Sequence, residues 1–145
     1  RLENDLKQQI QELGLQERVL LLGMVPDVFR YLRALDSFVL SSIREGLPVA
    51  MLEAFAAELI CSASLCNGNT EAIENAGFSF EIGDAVRLSQ TLVEIYGLDH
   101  EGRAEIKRKI QAKIDEHFTQ DAVRQAFWQL PFMEEFRCLS TSGTN

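Results

Sequence analysis

The chain has 145 residues, 46% of them hydrophobic, and a formal net charge of −8. This length suits one domain that buries roughly two-thirds of the surface of its unfolded chain. The acidic balance argues against a nucleic-acid partner, no apolar run is long enough for a transmembrane segment, and three cysteines are too few for a structural zinc site. We therefore expect no nucleic acid, no membrane span and no metal.

Apolar spacing, capping residues and glycines predict helices and strands in alternation. The predicted helices are 2–13, 28–35, 48–59, 69–75, 85–96, 101–117 and 119–136, and the predicted strands are 19–22, 37–40, 60–65 and 78–82. Asp27, Asn69 and Asp84 are the expected N-caps, and Gly97 is an expected helix stop. Residues 137–145 are small and polar, and we expect a flexible tail there.

Short strands alternating with helices predict an α/β fold with an open parallel Rossmann-like sheet and helices on both faces. Ligands of such sheets bind outside the carboxyl ends of the strands. The loops expected at that edge are 23–26, 41–47, 66–70 and Gly83.

Two carboxylates stand out in this region, Glu45 in a loop and Glu53 on the helix that follows. Gly46, beside Glu45, lets the backbone approach a ligand without a Cβ in the way. Glu53 has no basic residue three or four positions away. The simpler alternatives are a loop Glu45 paired with Arg44 and a solvated Glu53.

The buried side of the helix that carries Glu53 is predicted from the apolar spacing, with Glu53 at its edge. Its expected members are Val49, Leu52, Phe55, Ala56 and Leu59. A nucleotide sugar suits this arrangement, because carboxylates bind hydroxyl pairs well and a helix N-terminus favours a diphosphate.

The segment from Ser42 to Ala56 resembles the pattern S-x-x-E-G-x-P-x-x-x-x-E-A-x-A of the GT-B glycosyltransferases of family 4. Asn67-Gly68 takes the place of the family's Gly-Gly turn, and Glu71 that of the Glu after it. Asn tolerates a left-handed backbone, so the turn is expected to persist. The resemblance covers residues 2–96.

The resemblance implies the C-terminal half of a GT-B fold, the donor-binding lobe of a retaining enzyme that transfers a hexose from a nucleotide-diphosphate sugar. It implies that Glu45 is catalytic and contacts donor-sugar hydroxyls, that Glu53 holds the ribose, and that Gly68 is part of the donor site. It places the backbone of Gly46, Leu47 and Pro48 at the phosphate end. No cofactor is expected, and the location is expected to be cytoplasmic, with any membrane association through the absent domain.

On this view residues 1–136 form a partial C-terminal lobe without its first strand and without the amino-terminal acceptor domain. We therefore expect the chain by itself to be inactive. The last helix, 119–136, is expected to kink at Pro131 and cross toward the missing domain. Its aromatic residues would then be exposed and would favour self-association.

Two departures from the family pattern favour an alternative, a non-catalytic lobe of the same fold used for binding or scaffolding. Glu58 stands where the family has a helix-ending glycine, and Ile60 replaces a proline. A receiver-type signalling domain is disfavoured, because Asp36 precedes its strand where a phosphoacceptor should follow it.

Overall fold

The computed structural model describes residues 2–129, except the side chains of residues 127 and 128. It contains seven helices and three strands in this range. The helices are α1 (Leu2–Glu12), α2 (Val28–Leu32), α3 (Val49–Ala56), α4 (Asn67–Ile73), α5 (Ala85–Tyr96), α6 (His100–His117) and α7 (Gln120–Trp128); the strands are β1 (Ser37–Leu40), β2 (Ile60–Ser64) and β3 (Phe78–Phe80). None of these helices is long and apolar enough to cross a membrane.

The three strands form a parallel sheet in the order β1-β2-β3. Val39 lies opposite Ser62, which in turn lies opposite Phe78. All five residues of β2 are buried, so both faces of the central strand are covered. The predicted open parallel sheet with helices on both faces is confirmed.

The main core lies between one face of the sheet and helices α3, α4 and α6. Phe55 and Met51 of α3 pack there with Cys61 of β2, Ile73 of α4 and Ile110 of α6. Thr91 and Ile95 of α5 are buried outside this cluster, and α5 packs against β3 and β2. The central strand is thus held from several helices at once, which fixes the positions of its two ends.

Three of the predicted helix signals are confirmed. The Asp27 carboxylate accepts a hydrogen bond from the Arg30 amide at 3.3 Å, and the Asp84 carboxylate accepts one from the Arg87 amide at 2.8 Å. Gly97 ends α5 as predicted. Asp99 caps α6 through the Gly102 amide at 2.8 Å, a cap that the sequence analysis missed.

The predicted strand at 19–22 is wrong. In residues 2–129 this segment pairs with no strand, and its side chains are exposed, Leu20 by 76%. An apolar run becomes a strand only where a neighbouring strand supplies partners for its backbone groups. The described sheet offers this segment no such neighbour, and α1 before it buries no residue either.

The predicted helix limits and the predicted buried face of α3 also need correction. Helix α2 ends at Leu32 rather than at 35, and α3 ends at Ala56 rather than at 59. Val49 and Ala56 are exposed, whereas Met51 and Ala54 are buried. In a helix this rich in alanine, the apolar spacing allows more than one face to be the buried one. The position of the sheet decides which face is buried.

Glu58 keeps the helix stop that the family pattern assigns to glycine. Its φ is 59°, in the left-handed region. The Leu59 amide donates to the Ala54 carbonyl at 3.0 Å, and the Glu58 amide donates to the Phe55 carbonyl at 2.9 Å. These two bonds form a Schellman motif, the usual glycine-ended helix stop. The substitution therefore preserves the backbone path and adds conformational strain.

Replacing Glu58 by glycine should raise the free energy of unfolding by about 1 kcal/mol, because glycine adopts a left-handed φ without strain. The ion pair between Lys107 Nζ and the Glu58 carboxylate, at 3.5 Å, is exposed, and its loss should cost little. Urea unfolding of the chain measures the change. Glu58→Ala is the control, since it removes the charge but keeps the Cβ. Equal stability of the two variants would contradict the strain argument.

Helix α7 confirms the start of the last predicted helix. Its predicted continuation to 136, the kink at Pro131, the exposed aromatic residues beyond it and the flexible tail 137–145 lie outside the described residues.

Candidate functional site

The residues predicted to bind a ligand lie at one edge of the sheet. Residues 41–48, named here the Glu45 turn, follow the carboxyl end of β1, and two residues separate the carboxyl end of β2 from the start of α4. Because β1 and β2 are parallel, the two ends meet at the same edge. Gly83, with a φ of 82°, follows β3. The expected loop at 23–26 follows no strand, so the geometric reason for including it is lost.

The carboxylate of Glu45 is held by a serine and not by its basic neighbour. Ser42 Oγ donates to Glu45 Oε1 at 2.6 Å, and Glu45 is half-buried. Within residues 2–129, Arg44 forms no ion pair with it, so the simpler alternative for Glu45 is not observed. A carboxylate has about four lone-pair sites. One hydroxyl donor thus leaves acceptor capacity for the hydroxyls of a ligand.

Gly68 is required by a close approach of the Glu45 turn. A Cβ at Gly68 would overlap the carbonyl oxygen of Gly46, lie 2.7 Å from the Gly46 carbonyl carbon and lie 3.1 Å from the Glu45 carbonyl oxygen. The Gly68 amide donates to that Glu45 oxygen at 3.3 Å. The turn therefore rests directly on the first turn of α4.

The expected left-handed turn at Asn67-Gly68 is wrong. Both residues belong to α4, and neither has a positive φ. Asn69 is also not the cap of this helix, since Cys66 precedes the first helical residue. Asn tolerates a left-handed φ but does not impose one. Here the nearby backbone of Gly46 sets the requirement for glycine.

Two polar residues that sequence analysis did not assign to the site complete it. Asn69 is buried, and its Nδ2 donates to the Ser64 carbonyl at 3.1 Å and to Ser64 Oγ at 3.4 Å. Ser64 Oγ donates in turn to the Ser42 carbonyl. The signal for these residues was the pair of serines, Ser62 and Ser64, inside an otherwise apolar strand, since buried hydroxyls need partners.

Pro48 and Glu53 mark the helix that leaves the Glu45 turn. Pro48 is buried and forms the N-cap of α3 without a side-chain hydrogen bond to the helix, while Leu47 is exposed. Glu53 is half-buried and forms no ion pair within residues 2–129.

Pro48 has no amide hydrogen, and the Val49 and Met51 amides donate to the Leu47 and Pro48 carbonyls at 2.9 Å each. Of the first helical residues, Ala50 therefore keeps an amide that can meet an anion.

The remaining titratable candidates add no chemistry. Glu71 is exposed. Cys61 is buried, and loss of solvation raises the pKa of its thiol to about 12, so it stays protonated at neutral pH. Cys66 is also buried and free, whereas Cys138 lies outside the described residues. Residues 2–129 contain no cluster of three His, Cys, Asp or Glu side chains that could hold a metal.

Pronounced depressions of the described surface lie away from this edge. One is lined by Phe29, Arg33 and Glu58, and another by Glu74, Lys109 and His117. Neither depression includes Glu45, Glu53 or Gly68.

The sequence profile described as glycosyl transferases group 1 matches residues 1–97. The chain belongs to this family. Its resemblance to that family is therefore confirmed, and two solved structures confirm the GT-B type of the fold. An Escherichia coli relative, named UDP-Gal:alpha-D-GlcNAc-diphosphoundecaprenol alpha-1,3-galactosyltransferase, is 41% identical over 97 residues, or 65% of this chain.

Two solved structures agree with the group 1 glycosyl transferase fold. The C-terminal domain of the group 1 family protein LpcC from Francisella tularensis has a TM-score of 0.72, 22% identity, and covers 82% of this chain and 63% of its own. Sucrose-phosphate synthase from Thermosynechococcus elongatus has a TM-score of 0.75, 21% identity, and covers 97% of this chain.

This chain corresponds to only part of the length of the relatives it matches. It covers 25% of the length of the Escherichia coli protein and 35% of sucrose-phosphate synthase.

Proposed function

We propose that this chain is the donor-binding lobe of a retaining glycosyltransferase that moves a hexose from a nucleotide-diphosphate sugar to an acceptor. The observation that carries the proposal is the Glu45 turn packed on α4, in a chain of this family, with its carboxylate oriented by Ser42 at 2.6 Å. In the proposed enzyme the amino-terminal domain binds the acceptor and forms the second wall of the site. The term intact enzyme is used below for this two-domain protein.

Each residue has a proposed role. Glu45 binds donor-sugar hydroxyls next to the reacting carbon. The backbone of Gly46, Leu47 and Pro48, with the uncapped start of α3, faces the diphosphate. Glu53 binds the ribose hydroxyls. At 1.5 Å rise per residue, Glu53 stands roughly 7 Å along the helix axis from its start, which suits the spacing between a diphosphate and a ribose.

The name of the Escherichia coli relative specifies UDP-galactose as donor and a lipid-linked acceptor. We accordingly propose a UDP-hexose as the donor, bound without a metal ion. The intact enzyme is proposed to act in the cytoplasm, with membrane association through its other domain.

The non-catalytic alternative loses one of the two observations that motivated it, while Ile60 still stands in the place of the family's proline as the first residue of β2. Glu58 was expected to disturb the end of α3, but the helix ends there in a regular Schellman motif. The receiver-type alternative is also disfavoured, because Asp36 stands before β1, at the opposite edge of the sheet.

Replacing Glu53 by alanine in the intact enzyme should weaken UDP binding about 10- to 100-fold, because hydrogen bonds to a charged group contribute about 1.5–3 kcal/mol. Calorimetric titration with UDP and UDP-galactose, with and without EDTA, measures this. Glu74→Ala removes the same charge from an exposed position at the end of α4, so it controls for net charge. Unchanged UDP affinity in Glu53→Ala would remove the ribose assignment.

A further inference from the structure

We propose that Asn69 and Ser64 are positioning residues, whose buried hydrogen-bonded chain sets the place and orientation of the Glu45 carboxylate. The inference rests on the proposed function, since Glu45 is the donor-sugar contact proposed above. It assigns a role to two residues whose identity the family pattern does not specify.

The chain of hydrogen bonds begins at the Asn69 amide. Its Nδ2 lies 3.1 Å from the Ser64 carbonyl oxygen and 3.4 Å from Ser64 Oγ. The carbonyl oxygen only accepts hydrogen bonds, so the NH2 end of the amide must face it. Both acceptors near the Asn69 Nδ2 thus belong to one residue, at the carboxyl end of β2.

Ser64 connects Asn69 to the Glu45 turn through its hydroxyl group. Its hydroxyl has a single hydrogen, and the Asn69 donor occupies one side of the oxygen. The hydrogen points to the Ser42 carbonyl, which is closer than the Leu40 carbonyl at 3.3 Å. A hydroxyl that accepts one bond and donates another is polarised in the direction of donation, which strengthens the second bond.

Ser42 connects the buried hydrogen bonds to the Glu45 carboxylate. Its carbonyl is held by Ser64, and its hydroxyl holds Glu45 Oε1 at 2.6 Å. The Glu45 carbonyl is fixed separately by the Gly68 amide at 3.3 Å. Glu45 is thus restrained at its backbone and at its carboxylate. Such restraint before the donor arrives lowers the ordering cost of reaching a reactive geometry.

The oxygen end of the Asn69 amide differs from its nitrogen end. Its Oδ1 is buried, and within residues 2–129 no donor reaches it. A buried carbonyl without a partner costs free energy.

The first test measures the turn itself in this chain. Ser64→Ala and Asn69→Ala each break the hydrogen-bonded chain, and Ser62→Ala is a matched control. Ser62 lies on the same strand, is equally buried, and its hydroxyl has no partner within residues 2–129. The readout is amide hydrogen exchange of Gly68, measured by NMR. Gly68 lies in the first turn of α4, where amides lack an intrahelical acceptor, so its protection depends on the Glu45 carbonyl.

We expect exchange at Gly68 to become about tenfold faster in Ser64→Ala and Asn69→Ala, the factor that corresponds to one net hydrogen bond. It should stay at the parental rate in Ser62→Ala. Unchanged exchange in Ser64→Ala would overturn the inference. Ser64→Ala removes a single oxygen atom, so it carries the test if Asn69→Ala does not fold.

The second test separates positioning from stability in the intact enzyme. Expressed per folded molecule, kcat of Ser64→Ala should fall about 10- to 100-fold, as for a small misplacement of a catalytic group, with a smaller change in the KM for UDP-galactose. Ser62→Ala should keep the parental kcat. A lower unfolding midpoint with unchanged kcat per folded molecule would overturn the inference. If the parent enzyme neither binds nor uses a nucleotide sugar, the proposed function itself fails.

Discussion

Replacing Glu45 by alanine should lower kcat of the intact enzyme about 100-fold or more while weakening UDP binding far less. The loss of one preorganised group that stabilises transition-state charge typically reduces kcat by about 10²- to 10³-fold. Glu45 contacts the sugar rather than the base end in our proposal, so the ground-state affinity for UDP should depend on it little. Steady-state kinetics and UDP titration on the same preparation separate the two quantities.

Two further variants sharpen the Glu45 prediction. Glu45→Gln keeps the size and one acceptor oxygen but removes the charge, and its kcat should fall between the parent and Glu45→Ala. Arg44→Ala removes an exposed neighbour that does not pair with Glu45, and it serves as the local control. A Glu45→Ala enzyme with parental kcat and poor UDP affinity would reverse the proposed roles of Glu45 and Glu53.

Replacing Gly68 by alanine should both destabilise the chain and disable the intact enzyme. The new Cβ would overlap the Gly46 carbonyl, so the backbone of the Glu45 turn must move. Overpacking of this kind costs about 1–3 kcal/mol, and a displacement of about 1 Å at a catalytic group can cost about 100-fold in rate. Urea unfolding of the chain and kcat of the intact enzyme measure the two effects.

Gly46→Ala is the matched control for the stability effect. A Cβ at Gly46 meets no atom within 4 Å, so the free energy of unfolding should be close to that of the parent. If Gly68→Ala is as stable as Gly46→Ala, the close packing of the Glu45 turn on α4 is not required by the fold. If Gly68→Ala unfolds readily, activity measured per folded molecule still reports the displacement of Glu45.

The sequence was sufficient for those elements whose signals are local. Asp84 and Gly97 delimit α5 through hydrogen bonds within a few residues, and β1 was predicted to the residue. The alternation of strands and helices also placed Glu45 and Gly68 at one edge of the sheet, because parallel strands bring successive carboxyl ends together.

The errors arose where the outcome depends on distant neighbours. Residues 19–22 have the composition of a strand, but strand formation needs a pairing partner, and none lies beside them in residues 2–129. Asparagine is a residue type favoured at helix N-caps, yet the side chain of Asn69 donates to Ser64 because α4 packs against β2. Local propensity cannot distinguish these outcomes, because the deciding hydrogen bonds are made to residues elsewhere in the sheet.

The sequence by itself determined that helices and strands alternate and which family the chain belongs to. It also singled out Glu45 and Glu53 as the two candidate carboxylates. Only the tertiary structure decided how Glu45 is held. Its carboxylate accepts a hydrogen bond from Ser42 and does not pair with Arg44, and its turn packs on Gly68, where a side chain would not fit. Buried hydrogen bonds from Asn69 to Ser64, and from Ser64 to Ser42, support this arrangement. The physical reason is range. Capping and periodicity act within one turn or strand, whereas the orientation of a catalytic side chain depends on contacts between segments that meet only when the sheet has formed.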